Sequence, residues 1–186
     1  MRYMFGSNYT HTIKADDLTG NGVKFTAWLQ NKLFVVIEEI RVGTRREIVD
    51  SMKDWITNKV VAVQAKGRDQ GQCNNYANFM FTSNYLDALA LDKGQRRFCP
   101  IASVPQTAGE MDRLGMSTPA WSDLWDWAEG KSAYAGSVPG WQYLAHYLLM
   151  YDVQDQYNPL GKAVRAPYST YYNAFLQATI TRPEQE

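Results

Sequence analysis

Cysteine is scarce. Only Cys73 and Cys99 occur in 186 residues, too few for a disulfide framework or a zinc cage, which points to a reducing compartment. Net charge is missing as well. Nineteen basic and nineteen acidic residues cancel, so no overall positive field draws the chain to nucleic acid, and any such contact has to come from local placement. No stretch of about 18 apolar residues exists to span a bilayer. The N-terminal stretch lacks the basic-then-apolar order of a signal peptide. Repeats and low-complexity tracts are absent too. The expectation is a soluble, cytoplasmic protein with no membrane partner.

What is present is a 45% hydrophobic composition, enough for one good core and a small appendage. Its centre is Leu33-Phe-Val-Val-Ile-Glu-Glu39. Five apolar residues without polar alternation predict a strand buried on both faces, as in a parallel sheet. The carboxylates Glu38 and Glu39 fall at its carboxyl end, where open α/β sheets place their chemistry. A similar strand at Phe79-Met80-Phe81-Thr82-Ser83-Asn84 also ends in polar residues.

Around these strands the chain reads in order. Met1 to Gly6 looks like the tail of a helix closed by Gly6, and Tyr9 to Lys14 like a short strand. Asp16 and Asp17 are expected to cap a helix whose apolar face holds Phe25, Trp28 and Leu29. Thr44 is expected to cap a helix running to about Asn58, with Ile48, Met52, Trp55 and Ile56 on one face. Val60 to Lys66, a turn at Gly67 to Gly71 and a return through Asn74 to Tyr76 predict a hairpin with Lys66 and Arg68 near its tip. Leu86 to Leu91 reads as one helical turn and Phe98 to Val104 as a further strand. Polar and loop residues from Pro105 to Gly115 place a boundary there, giving units of 1–104 and 105–186. Three helices follow: one from Thr118-Pro119 to Gly130, with Trp121, Leu124, Trp125 and Ala128 inward; one from Trp141 to about Tyr151, with Leu144, Ala145 and Leu148 inward; and one from Ser169 to about Thr179, with Tyr172 and Phe175 inward. The tail from Arg182 to Glu186 is expected to fray.

Adjacent carboxylates at a strand end point in different directions, so one can hold a magnesium ion while the next faces a water. Nucleotide hydrolysis needs that pair of tasks. The plain alternative is a parallel strand with an acidic solvent end. Asn84 can orient the same water or touch a terminal phosphate, or it is simply good turn chemistry. Arg96 and Arg97 offer rigid forks for phosphate oxygens, or form a solvated pair at the start of a strand. Lys66 and Arg68 can meet a nucleic-acid backbone, or merely keep a turn soluble. Trp121, Trp125 and Trp127 invite base stacking, yet Trp121 and Trp125 share the face of Leu124 and read as core, with Trp127 off that face. His11 and His146 have no partners at metal-ligand or triad spacing and read as structural.

Taken in order, the apolar strand with Glu38-Glu39, then Lys66-Gly67, then Phe79 to Asn84, then Gln95-Arg96-Arg97-Phe98 resembles the helicase domain of superfamily 3, in the AAA+ class. More narrowly, it is similar to the primase-helicase proteins of phages and large DNA viruses. The likeness is firm from about Phe25 to Ile101 and looser beyond, where Leu144 to Asp152 and Ala166-Pro167 also look like the family's region after the ATPase core. The resemblance implies an incomplete P-loop NTPase, a three-layer α/β core with a parallel sheet over 1–104, followed by a small helical region over 105–186. It implies ATP and Mg2+ as cofactors, with Glu38 holding the metal, Glu39 activating water, Asn84 sensing the terminal phosphate, and Arg96 or Arg97 serving as the arginine finger. Lys66, and Arg68 beside it, would grip single-stranded DNA in the channel of a homo-oligomeric ring, usually a hexamer, joined to or working with a primase or polymerase. A phage-encoded form would act in the host cytoplasm.

Two departures stand out. Glu38 occupies a position more often held by aspartate, and either carboxylate can hold magnesium. No Gly-x-x-x-x-Gly-Lys-[Ser/Thr] loop occurs; Gly20-Asn21-Gly22-Val23-Lys24 is the nearest attempt, with the wrong spacing. In the family that loop lies just before the position where this sequence starts, so the expectation is a fragment that binds ATP poorly by itself and hydrolyses little or none. Two other functions fit the same residues: a non-catalytic AAA+-like ring or scaffold subunit that binds DNA, and a metal hydrolase unrelated to nucleotides.

Overall fold

The computed structural model describes residues 2–18, 25–40, 46–89, 94–103, 107–116, 118–132, 138–153, 166–167 and 169–180. The Gly20 to Lys24 segment, the cap expected at Thr44, the Leu91 end of the helical turn, and the tail from Arg182 lie outside them. The chain divides into one unit of residues 1–101 with 165–186 and a second of residues 102–164.

The first unit is built on three parallel strands. β1 (Thr10–Lys14) and β5 (Asn78–Phe81) flank β2 (Phe34–Glu38), and the register aligns His11, Val35 and Phe79 in one row. The fold is α/β with a parallel sheet, as the Val- and Ile-rich centre required. One face carries Val35 and Ile37, both fully buried. It is covered by α2 (Arg46–Thr57), whose Met52 and Trp55 are buried. An aromatic chain crosses this face from His11 to Trp28 (5.3 Å), Trp55 (5.4 Å), Phe79 (6.5 Å), Phe81 (6.2 Å) and Phe98 (5.6 Å). The opposite face is more open: Met80 is exposed and Phe34 and Val36 are only half-buried. The expectation of a strand buried on both faces is therefore corrected. On the open side α1 (Arg2–Phe5), only four residues long, contributes Phe5 stacked on Phe34 at 6.2 Å.

Other elements depart from the sequence pattern for local reasons. Asp16 and Asp17 lie inside a short 3-10 turn, Ala15–Leu18, rather than ahead of a helix, and Trp28 and Leu29 lie in a second one, Ala27–Leu29. No strand forms after Phe98 among the described residues, and Pro100 interrupts that run without an N–H to give to a ladder. There Phe98 packs against Tyr172 instead, on α6 (Tyr172–Ile180), as its inward position predicted. The hairpin forms as expected: β3 (Val60–Val63) pairs antiparallel with β4 (Gly71–Asn74). Gly67, at φ +75, makes the tip, and Arg68 N–H donates to the Ala65 carbonyl (3.1 Å). Buried Thr26 anchors its first strand through Oγ1 to the Ala62 carbonyl at 2.7 Å.

The second unit holds α3 (Ala108–Arg113), opened by a capping box between Thr107 and Glu110, then α4 (Thr118–Glu129) and α5 (Gly140–Met150). Gly130 ends α4 at φ +76, since only glycine takes that conformation freely. The apolar faces are not where the spacing put them. Trp121, Leu124, Trp125, Leu144 and Leu148 are all exposed. On α4 it is Trp127 that packs, its ring lying directly over Gly140, where the missing Cβ leaves room.

Candidate functional site

Parallel strands bring their carboxyl ends to one edge, and that edge gathers Glu38, Glu39, Thr82, Ser83 and Asn84. The link between β2 and β5 continues beyond the ladder. Thr82 N–H donates to the Ile37 carbonyl (3.0 Å) and Ile40 N–H to the Thr82 carbonyl (3.0 Å). Ser83 Oγ then donates to the Ile40 carbonyl (2.5 Å) and accepts from Tyr85 N–H (3.0 Å). The exit of the acidic strand and the start of the Ser-Asn turn are thus one hydrogen-bonded piece. Asn84 is exposed just past it.

Glu38 ends β2 on the side of Phe34 and Val36, because alternate residues share a face. Glu39 leaves the strand with φ +59, a left-handed conformation uncommon outside glycine and asparagine. The two carboxylates therefore depart from the strand by different routes, as their adjacency required. Lys14 stands opposite Glu38 in the register, and its Nζ lies 3.6 Å from Glu39 Oε2, with both side chains more than half exposed. Solvent screening leaves such a pair little energy of its own, but it places a cation at the acidic edge. Lys14 escaped the sequence reading; its signal was a lysine closing a predicted strand.

Gln95 clamps the backbone at Arg97 and Phe98. Its Oε1 accepts from Arg97 N–H (2.9 Å) and Phe98 N–H (2.8 Å), while Nε2 donates to the Phe98 carbonyl (2.7 Å). Phe98 in turn packs edge-on against Phe81, the last residue of β5. Arg96 is exposed; Arg97 is half-buried, with Nε shielded from solvent and without a hydrogen-bond partner. Lys66 and Arg68 are both exposed at the hairpin tip. The structure thus joins the acidic edge to the Ser-Asn turn and sets Arg96 and Arg97 on the segment leading to Phe98. The two hairpin cations sit on a separate projection.

Magnesium characteristically takes one or two carboxylates and completes its shell with water and substrate phosphates. Glu38, without a side-chain partner among the described residues, fits that role. No group of three metal-ligating side chains exists among the described residues. Among the described helices none is long and apolar enough to cross a membrane.

The family of unknown function DUF5906 matches residues 1–97, which is 97 of 186 residues. The chain belongs to this family. Every site residue singled out from the sequence falls inside the DUF5906 match. The chain is also 27% identical over 78 residues to the DNA primase-polymerase of Nitratiruptor phage NrS-1, a stretch covering 40% of this chain and 11% of that protein. The chain therefore corresponds to a small part of that relative. Among solved structures, the A-form apo structure of the NrS-1 C-terminal region matches with a TM-score of 0.63 and 19% identity, over 96% of this chain and 37% of that one. That likeness establishes a shared fold.

Proposed function

We propose that this DUF5906 chain is the later part of an ATP-dependent DNA helicase domain of the primase-helicase type, acting in phage, viral or mobile-element replication. The observation that carries the reading is the hydrogen-bonded carboxyl edge, where Glu38 and Glu39 share one frame with Ser83 and Asn84. Sequence similarity to a phage DNA primase-polymerase supports the same setting. In this reading Glu38 would hold Mg2+, which when bound would neutralise charge on ATP phosphates. Glu39 orients the attacking water and Asn84 faces the terminal phosphate. Arg96, the exposed member of its pair, is the one free to reach a nucleotide on a neighbouring subunit of a ring, and a hexamer is the expected assembly. Lys66 and Arg68 meet the backbone of single-stranded DNA, where projecting cations need only reach.

The test joins this chain to a segment bearing a Gly-x-x-x-x-Gly-Lys-[Ser/Thr] loop and measures ATP hydrolysis stimulated by single-stranded DNA. Glu39→Gln should abolish turnover while nucleotide still binds, and Lys66→Ala should weaken DNA binding. Turnover unaffected by Glu39→Gln would sink the catalytic reading. If Lys66→Ala still weakened DNA binding, the chain would be a DNA-binding scaffold subunit. ATP hydrolysis by the 186-residue chain without any such loop, lost in Glu39→Gln, would overturn the requirement for the missing motif.

A further inference from the structure

The edge opposite the carboxylates holds a feature that neither the motifs nor the proposed helicase chemistry uses. An open recess of ≈ 530 Å³ lies where the three parallel strands begin, lined by Asn8, Tyr9, Gln30, Asn31, Lys32, Leu33 and Tyr76. Its frame is rigid. Leu33 and Phe34 N–H both donate to the Tyr9 carbonyl (2.8 and 3.2 Å). Asn78 donates to the Leu33 carbonyl through both its backbone N–H (2.9 Å) and its side-chain amide (3.1 Å). Lys32 Nζ ties to the Asn8 carbonyl at 2.6 Å, and Tyr76 Oη accepts from Asn74 Nδ2 at 3.2 Å. On this frame two tyrosine rings stay open, Tyr9 at 50% and Tyr76 at 59% exposure. The side-chain amides of Gln30 and Asn31 have no hydrogen-bond partner among the described residues, and Asn31 is held at φ +59. No lining residue is acidic, and the one charge is the ammonium of Lys32.

Exposed aromatic faces, unpaired amides and a single cation without a carboxylate form the chemistry of a base-stacking platform. The rings supply stacking that any base satisfies, each amide offers both a donor and an acceptor to a base edge, and the ammonium tolerates a phosphate. An open recess rather than an enclosed pocket suits a strand passing across it. We infer that this edge binds a nucleobase of a single-stranded nucleic acid, as a station distinct from the Lys66 hairpin.

The test uses the whole chain with fluorescein-labelled oligodeoxyuridylate and oligouridylate, which differ only in the sugar, read by anisotropy, and with 5-iodouracil-substituted oligomers for photocrosslinking. Crosslinks at Tyr9 or Tyr76 are expected, together with roughly tenfold weaker binding in Tyr76→Ala and nearly unchanged binding in Tyr76→Phe. Comparable affinity for the two oligomers identifies a platform for either strand type, whereas a preference for one names the sugar it reads. In Lys66→Ala the Tyr9 or Tyr76 crosslink should persist even as total affinity falls, which separates this site from the hairpin. Crosslinks confined to the hairpin, binding by the Tyr9→Ala/Tyr76→Ala double variant within about twofold of the parent, or no binding by the parent chain overturns the inference. The parent's crosslinks decide the matter even if the alanine variants misfold.

Discussion

Ser83 and Ile40 are 43 residues apart in sequence, yet the hydroxyl of one donates to the carbonyl of the other at 2.5 Å. The bond extends the pairing of β2 and β5 past the end of their ladder, joining the exit that carries Glu39 to the turn that carries Asn84. Replacing Ser83 with alanine leaves the Ile40 carbonyl and Tyr85 N–H without that partner. The expected cost is about 1–2 kcal/mol, read in urea unfolding. Amide exchange should speed up at Ile40, Thr82 and Tyr85 before it changes in β1. Unchanged exchange at these three amides would mean the edge is held by the backbone alone.

His11 gives the sheet a pH dependence. Burial first, and the nearby charge of Lys32 second, hold its imidazole below the ordinary histidine value. The unfolded chain then binds the proton more readily than the folded one just below about pH 6.5, so stability rises with pH in that window. The contribution is fully present above the unfolded value and is lost as pH falls through the lowered folded one. Melting temperature should therefore decline between about pH 7 and pH 5. His11→Phe, which keeps a ring against Trp28, should flatten that decline. An equal slope in both proteins would remove His11 as the cause.

Gly140 is fixed by its neighbour. A Cβ there would lie 2.4 Å from carbons of the Trp127 ring, closer than real contacts allow. Gly140→Ala should cost about 1–3 kcal/mol through overpacking and shift tryptophan emission as the Trp127 ring is displaced. Gly109→Ala is the control, since a Cβ meets nothing within 4 Å there and alanine is the better helix former. Equal effects from the two would disprove the contact.

Where composition and local chemistry decide, the chain was readable. Val35, Val36 and Ile37 announced a central parallel strand, Gly67 the hairpin tip, Gly130 a helix end, and Tyr172 with Phe175 the inward side of α6. Where a partner decides, it was not. Periodicity placed Trp121, Leu124 and Trp125 on one stripe of α4, but a stripe says nothing about whether another element covers it, and Trp127 is the ring that packs. The run from Phe98 had strand composition and no ladder to join. The candidate site divides in the same way. Glu38, Glu39, Ser83 and Asn84 stood out because strand ends are legible, whereas Lys14 acts through a neighbour distant in sequence and Gln95 through a local clamp. Asn8, Gln30 and Asn31 look like ordinary turn residues until parallel pairing gathers them at one edge.

The pairing of residues around Pro100 with those around Ser169 has a consequence for how this architecture can change. Arg96 and Pro100 carbonyls accept from Ala166 N–H and Ser169 Oγ, so the polypeptide leaves the sheet unit and comes back to it at neighbouring points. Residues 102–164 are therefore an excursion with a common port of departure and return. Lengthening such an excursion raises the entropic cost of closing it only logarithmically. The sheet with its acidic edge can serve as a fixed handle, while the tool mounted on it is enlarged, trimmed or exchanged.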